Sequence, residues 1–167
     1  MAADRPPPTP SQTVGPFFGF ALPFPGDAEA SPLDGAAVRI EGQVLDGGGE
    51  PVAEAILEAW EGDQFARCRT DPEGAFQFLV RKPRATTGPD GGRHAPHLEL
   101  TVFARGLLRQ LATRIYFPDE AAANDADPVL ALVEPDRRRT LVARAEGGVL
   151  HFDVRLQGAG ETVFFAL

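Results

Sequence analysis

The chain has 167 residues, 43% of them hydrophobic, enough to bury one substantial core in a single domain. Its formal charge of −8 excludes nucleic acid and anionic membrane surfaces as natural partners. A single cysteine, Cys68, excludes an internal disulfide framework, and 18 glycines with 16 prolines favour short strands and tight turns over a helical bundle.

Residues 1–36 read as an extended arm and residues 37–167 as the core. The start, Met1-Ala-Ala-Asp-Arg-Pro-Pro-Pro, has no basic segment followed by an apolar one, and no stretch reaches membrane-spanning length. The expectation is a soluble cytoplasmic protein. In the arm, Pro10 and Pro16 fix φ and remove two backbone donors from the run Thr9–Phe18, which speaks against a helix there. Phe17, Phe18, Phe20 and Phe24 need a surface to bury against, either their own domain or a partner. Ser31-Pro32-Leu33-Asp34-Gly35 reads as a turn into the core.

From Val38 to Val44 apolar residues alternate with polar ones, the period of a half-buried strand. Asp46-Gly47-Gly48-Gly49-Glu50-Pro51 reverses the chain into a second strand at Ala55–Trp60. A polar connection follows, and Asp71-Pro72-Glu73-Gly74 turns into a strand over Ala75–Val80. Residues 81–96, rich in Pro, Gly, Thr and Arg, read as a long surface loop. Strands are expected at His97–Ala104 and Ala112–Phe117, with one helical turn at Asp119–Asn124. A hairpin of Thr140–Ala145 and Val149–Leu156 about Gly147-Gly148, then a closing strand at Thr162–Ala166, complete an all-β fold. Strands at this spacing imply an antiparallel β-sandwich.

Three segments carry a resemblance: Gln12-Thr13-Val14-Gly15-Pro16-Phe17-Phe18; Glu50–Trp60 with Asp71–Phe76 downstream; and Leu100–Leu108 running on to Thr113-Arg114-Ile115-Tyr116-Phe117 and Asn124–Leu130. Together they resemble the alpha subunits of the intradiol ring-cleaving dioxygenases, from about Thr9 to the C-terminus. The loops at 61–69 and 81–96 are short for that family. The resemblance implies a β-sandwich, pairing with a beta subunit and assembly of such pairs. It also implies Fe(III) held by two Tyr and two His of the beta subunit, and protocatechuate opened with O2 to 3-carboxy-cis,cis-muconate.

The ligand set fails when tested on this chain. Tyr116 is the only tyrosine, so two phenolates cannot be supplied. The family's His-x-His places both rings on one face of a strand. Here the matching positions read His97-Leu98-Glu99, a vestigial metal position with one imidazole replaced by a carboxylate. Phe65 is the nearest aromatic to the first ligand tyrosine, and Tyr116 belongs to the Thr-Arg-Ile-Tyr-Phe run instead. The expectation is no metal and no catalytic residue in this chain.

Other candidates are weaker. His151 with Asp153 gives two ligands on one strand, short of a closed site, and His94 is the remaining imidazole. Cys68 has no evident base. Arg137-Arg138-Arg139 is a solvated run or an interface, and Asp119, Glu120, Asp125 and Asp127 lack calcium-loop spacing.

What the resemblance implies for this chain is a wall of the partner's substrate cleft, built by Thr13, Val14, Gly15, Pro16 and Phe17. Arg114 would be a cation near the anionic substrate or an ion pair within the heterodimer, since a guanidinium grips a carboxylate through parallel donors. Two other readings stand beside it: a self-sufficient catechol or hydroxyquinol dioxygenase, which the tyrosine count opposes, and a non-enzymatic transthyretin-like binding module.

Overall fold

A computed structural model describes residues 8–30, 36–88 and 91–166. Two sheets face each other across one core, with a covering segment on the outer face of one of them. The expected turn at residues 31–35 lies outside the described residues.

The first sheet is organised around β1 (Ala37–Leu45). On one side β1 pairs antiparallel with β4 (Ala75–Arg81). On the other it pairs with β10 (Val149–His151) and then with β11 (Val154–Arg155), both parallel. The sandwich is therefore mixed where full antiparallel pairing was expected. The hairpin of β9 (Arg144–Glu146) with β10 forms about Gly147-Gly148, as the turn residues predict, but with shorter strands. Residues 138–140 make a 3-10 turn instead of a strand start.

Gly42 accounts for the break between β10 and β11. A Cβ there would lie 1.8 Å from the Phe152 carbonyl oxygen, so only glycine lets the two backbones come this close. Gly74, at φ +71°, closes the turn into β4 and would meet the Val44 carbonyl at 2.8 Å if it carried a side chain.

The second sheet runs β3–β2–β7–β8 and is antiparallel throughout. Its strands are β2 (Ile56–Glu61), β3 (Gln64–Arg69), β7 (His97–Phe103) and β8 (Leu111–Tyr116). β3 occupies what reads in sequence as a polar connection. Its inward residues are Gln64, Ala66 and Cys68, none of them large and apolar, so no strong apolar alternation announces it. Gln64 nonetheless has a firm place: its amide donates to the Arg81 carbonyl at 2.9 Å and its oxygen accepts from the Arg81 N–H at 3.0 Å, tying β3 to the end of β4.

Period-two burial decides which residues meet between the sheets. Phe76, Phe78 and Val80 of β4 and Leu98, Leu100 and Val102 of β7 are all buried in one cluster with Ile40, Val44, Leu57 and Ile115. A smaller cluster of Ala95, Tyr116, Leu130, Val133 and Leu141 lies on the other face of β8, under α2 (Ala121–Asp125) and α3 (Pro128–Ala131). The expected closing strand at residues 162–166 reduces to a single bridge, Phe165 with Ala112. Within 81–96 two short strands, β5 (Thr86–Thr87) and β6 (Arg93–His94), pair with each other.

The arm is not wholly irregular, because α1 (Phe18–Ala21) makes one helical turn just past the proline-bounded run. It lies along the open edges of the sheets. Thr13 Oγ1 accepts from the Gly106 N–H at 2.8 Å, at the β7–β8 turn. Arg69 donates to the Gly19 carbonyl, Arg67 donates to the Leu22 carbonyl, and the Arg67 N–H donates to the Asp27 carbonyl. Ala30 and Leu79 then continue the contact onto β4. These bonds cover strand edges that would otherwise present unpaired backbone groups.

Candidate functional site

Register builds the polar site. Across β7 and β8, His97 lies opposite Tyr116 and Glu99 opposite Arg114. Because side chains alternate, these four share the face turned away from the sandwich core. The smaller apolar cluster and α3 close over one end of it.

Arg114 is the hub. One guanidinium nitrogen donates to Glu99 at 2.8 Å, and the other donates to His94 Nδ1 at 3.2 Å and to the Tyr116 hydroxyl at 3.3 Å. The Tyr116 hydroxyl donates in turn to Asp127 Oδ1 at 3.1 Å. Asp127 also accepts from the N–H groups of Val129 and Leu130, capping α3, and from the Ala95 N–H at 2.8 Å. His97 bonds the Ala95 carbonyl through Nδ1 at 2.7 Å and Glu99 through Nε2 at 3.2 Å.

The electrostatics follow from these contacts. Burial opposes ionisation of Asp127, yet the N–H groups of Leu130, Ala95 and Val129 outweigh it and hold the carboxyl below its ordinary range. For Glu99 burial again acts upward, and the His97 bond with the Arg114 charge brings the net shift downward. Tyr116 goes the other way. Burial pushes its phenol well up, only partly countered by Arg114.

A ferric centre does not fit this donor set. It needs deprotonated phenols, and the only phenol present is fully buried, held neutral, and committed to a carboxylate. The Glu99 carboxylate already has the Arg114 guanidinium 2.8 Å away, so its charge is met by a cation within the chain. Among the described residues no three His, Cys, Asp or Glu side chains converge as metal ligands. Phe65 packs on Trp60, ring centroids 4.3 Å apart, with Arg67 over it, away from this network.

The other expected site residues lie elsewhere. Thr13 is bound at the β7–β8 turn, toward the opposite end of the hairpin from Arg114. Val14 is partly buried against a small cleft with Phe103 and Leu107, and Gly15 and Pro16 are exposed. Phe17 is 78% exposed and Phe20 68%, although Phe20 carries the Arg69 guanidinium over its ring. The chain by itself therefore does not bring the arm to Arg114. Asp153 is spoken for by Arg144 and the Gln43 N–H, so it does not form a metal pair with His151.

Asp127 is the residue that sequence reasoning left among unassigned acids. The signal was present in Asp127-Pro128, since an Asp cap followed by Pro at the first helical position marks a helix start.

No family model matches the chain. Its fold is that of the intradiol ring-cleaving dioxygenases: hydroxyquinol 1,2-dioxygenase from Pseudomonas putida DLL-E4 superposes with a TM-score of 0.62 at 19% identity, over 76% of this chain and 58% of that one. The chain thus spans little more than half of that enzyme. Among curated proteins it is 41% identical to the protocatechuate 3,4-dioxygenase alpha chain of Burkholderia cepacia, over 94% of this chain and 96% of the relative. The alpha chain of Pseudomonas putida is 39% identical over 95% and 96%. The beta chain of Burkholderia cepacia is more distant, at 29% over 77% of this chain and 67% of its own length. The chain belongs to the family of protocatechuate 3,4-dioxygenase alpha chains. The Burkholderia alignment runs over 191 residues, longer than this chain, so the relative holds segments missing here.

Proposed function

We infer that this chain is the non-iron-binding subunit of a heteromeric protocatechuate 3,4-dioxygenase, which opens the ring of protocatechuate with O2 to give 3-carboxy-cis,cis-muconate. The observation that carries the reading is the fate of the only phenol. Tyr116 is sealed between Arg114 and Asp127, which supports an Fe(III) held by a beta-type partner, where it would supply substrate and oxygen activation. The pairs would assemble further, in the cytoplasm.

This chain's own residues would contribute binding and water exclusion. The arm, within residues 1–36, lies on the core, 37–167, and would present its exposed aromatic side chains to the partner's cleft. Its exposed Phe17, Phe20 and Phe24 have too much apolar area for a surface that stays wet. Thr13, Val14, Gly15, Pro16 and Phe17 would wall that cleft, with Thr13 anchoring the arm to Gly106. Arg114 would grip an anionic group by exchanging Glu99, the most exposed member of its network, for a carboxylate of the substrate or the partner. Such contacts hold and orient a substrate; they do not make or break its bonds.

The test is protocatechuate-dependent oxygen uptake by this chain, by a beta-type chain, and by the two co-expressed. Full activity only for the pair supports the reading. Activity from this chain alone would favour a self-sufficient enzyme, and none from any preparation would favour a binding module.

A further inference from the structure

A second concave site lies on the first sheet, away from the Arg114 network. Its volume is about 500 Å³, within the range of small-molecule pockets. Arg139, Arg144 and Arg155 stand around it, against one carboxylate, Asp153, which Arg144 already pairs at 3.2 Å. Among the described residues Arg139 and Arg155 have no carboxylate partner. In a chain of net charge −8, three arginines round one hollow with two charges left over is a local reversal of sign.

Arg155 is held in place for this. Its backbone N–H donates to Thr162 Oγ1 at 3.0 Å and its carbonyl accepts from the Thr162 N–H at 2.9 Å. The residue is partly buried and its side chain runs between the Gly49 and Gly160 turns; a Cβ added at either glycine would lie 3.7 Å or 4.0 Å from it. A guanidinium on a partly buried residue, with five donors and no acceptor among the described residues, is an unfinished contact. Behind it the sandwich core closes the hollow, with Phe152 and Ala143 both buried there.

We propose that this hollow binds a small organic anion carrying at least two carboxylates, held on Arg139 and Arg155. The site does not depend on the catalytic reading, because none of its residues belongs to the Arg114 network or to the arm.

Calorimetric titration of the full chain, alone and with its co-expressed partner, tests it with cis,cis-muconate and the uncharged dimethyl ester as probes, at low ionic strength. Saturable binding of muconate, none of the ester, and about tenfold weaker binding in each of R139Q and R155Q is the expected result. Arg139 is exposed, so R139Q tests the site without disturbing folding, and a thermal melt controls for R155Q. No saturable muconate binding by the wild type at millimolar concentration overturns the proposal, as does unchanged affinity in the double variant. Loss of muconate binding on pairing, with R139Q and R155Q weakening subunit association, would show an acidic protein segment as the true occupant and equally overturn it.

Discussion

Asp127 is the most heavily hydrogen-bonded carboxylate of the site. It is fully buried and receives four donors, three backbone N–H groups and the Tyr116 hydroxyl. Asp127→Ala strands all of them in the interior, and a loss on the order of 3 kcal/mol in urea unfolding at pH 7 is expected. Its folded pKa is depressed, so the charged form stabilises above the unfolded value near ~4 and that contribution is lost as pH falls through the folded value. The stability gap between wild type and Asp127→Asn should therefore be wide at pH 7 and narrow at pH 3. A gap that widened on acidification would refute the assignment. Arg114 carries a functional prediction instead. In the co-expressed complex, Arg114→Gln should raise KM for protocatechuate about tenfold while leaving kcat within a few-fold, as expected for a carboxylate grip that acts on ground and transition states alike.

The elements show where sequence reading succeeds and where it stops. β1, β2, β4, β7 and β8 were legible because alternating apolar residues and Gly- or Pro-marked turns pointed the same way. β3 was not, because its inward side chains are the small or polar Gln64, Ala66 and Cys68, and the amide pair that ties it to Arg81 is reported by no local pattern. The break between β10 and β11 was equally hidden, since it depends on a backbone approach across 110 residues at Gly42. Gly42→Ala would drive a methyl into the Phe152 carbonyl, and a cost of about 3 kcal/mol is expected, seen as a lower denaturation midpoint at unchanged m-value. The arm gives a gentler test. Thr13→Val removes the acceptor of the Gly106 N–H, so hydrogen exchange at that amide should quicken while the amides of Leu98 and Leu100 stay protected.

At the scale of the whole molecule, the fold is that of the intradiol dioxygenases and the family that of the alpha chains, with an ion-pair network where β7 pairs with β8. The site was half legible. One tyrosine, and Glu99 where the pattern wants histidine, could be counted from the sequence. That Arg114 supplies the replacing charge, and that Tyr116 and Asp127 lock behind it, needed the pairing of β7 with β8 and the covering helices. On the proposed function, such a chain would gain activity by lending its arm and Arg114 to a partner that brings the iron. The most direct measurement is metal analysis with visible spectroscopy on this chain purified without a partner, in iron-replete medium. Iron far below one atom per polypeptide and no ferric–phenolate band near the visible region are the predicted results. One iron per chain with that band, persisting after exchange into buffer containing a mild chelator, would contradict the account.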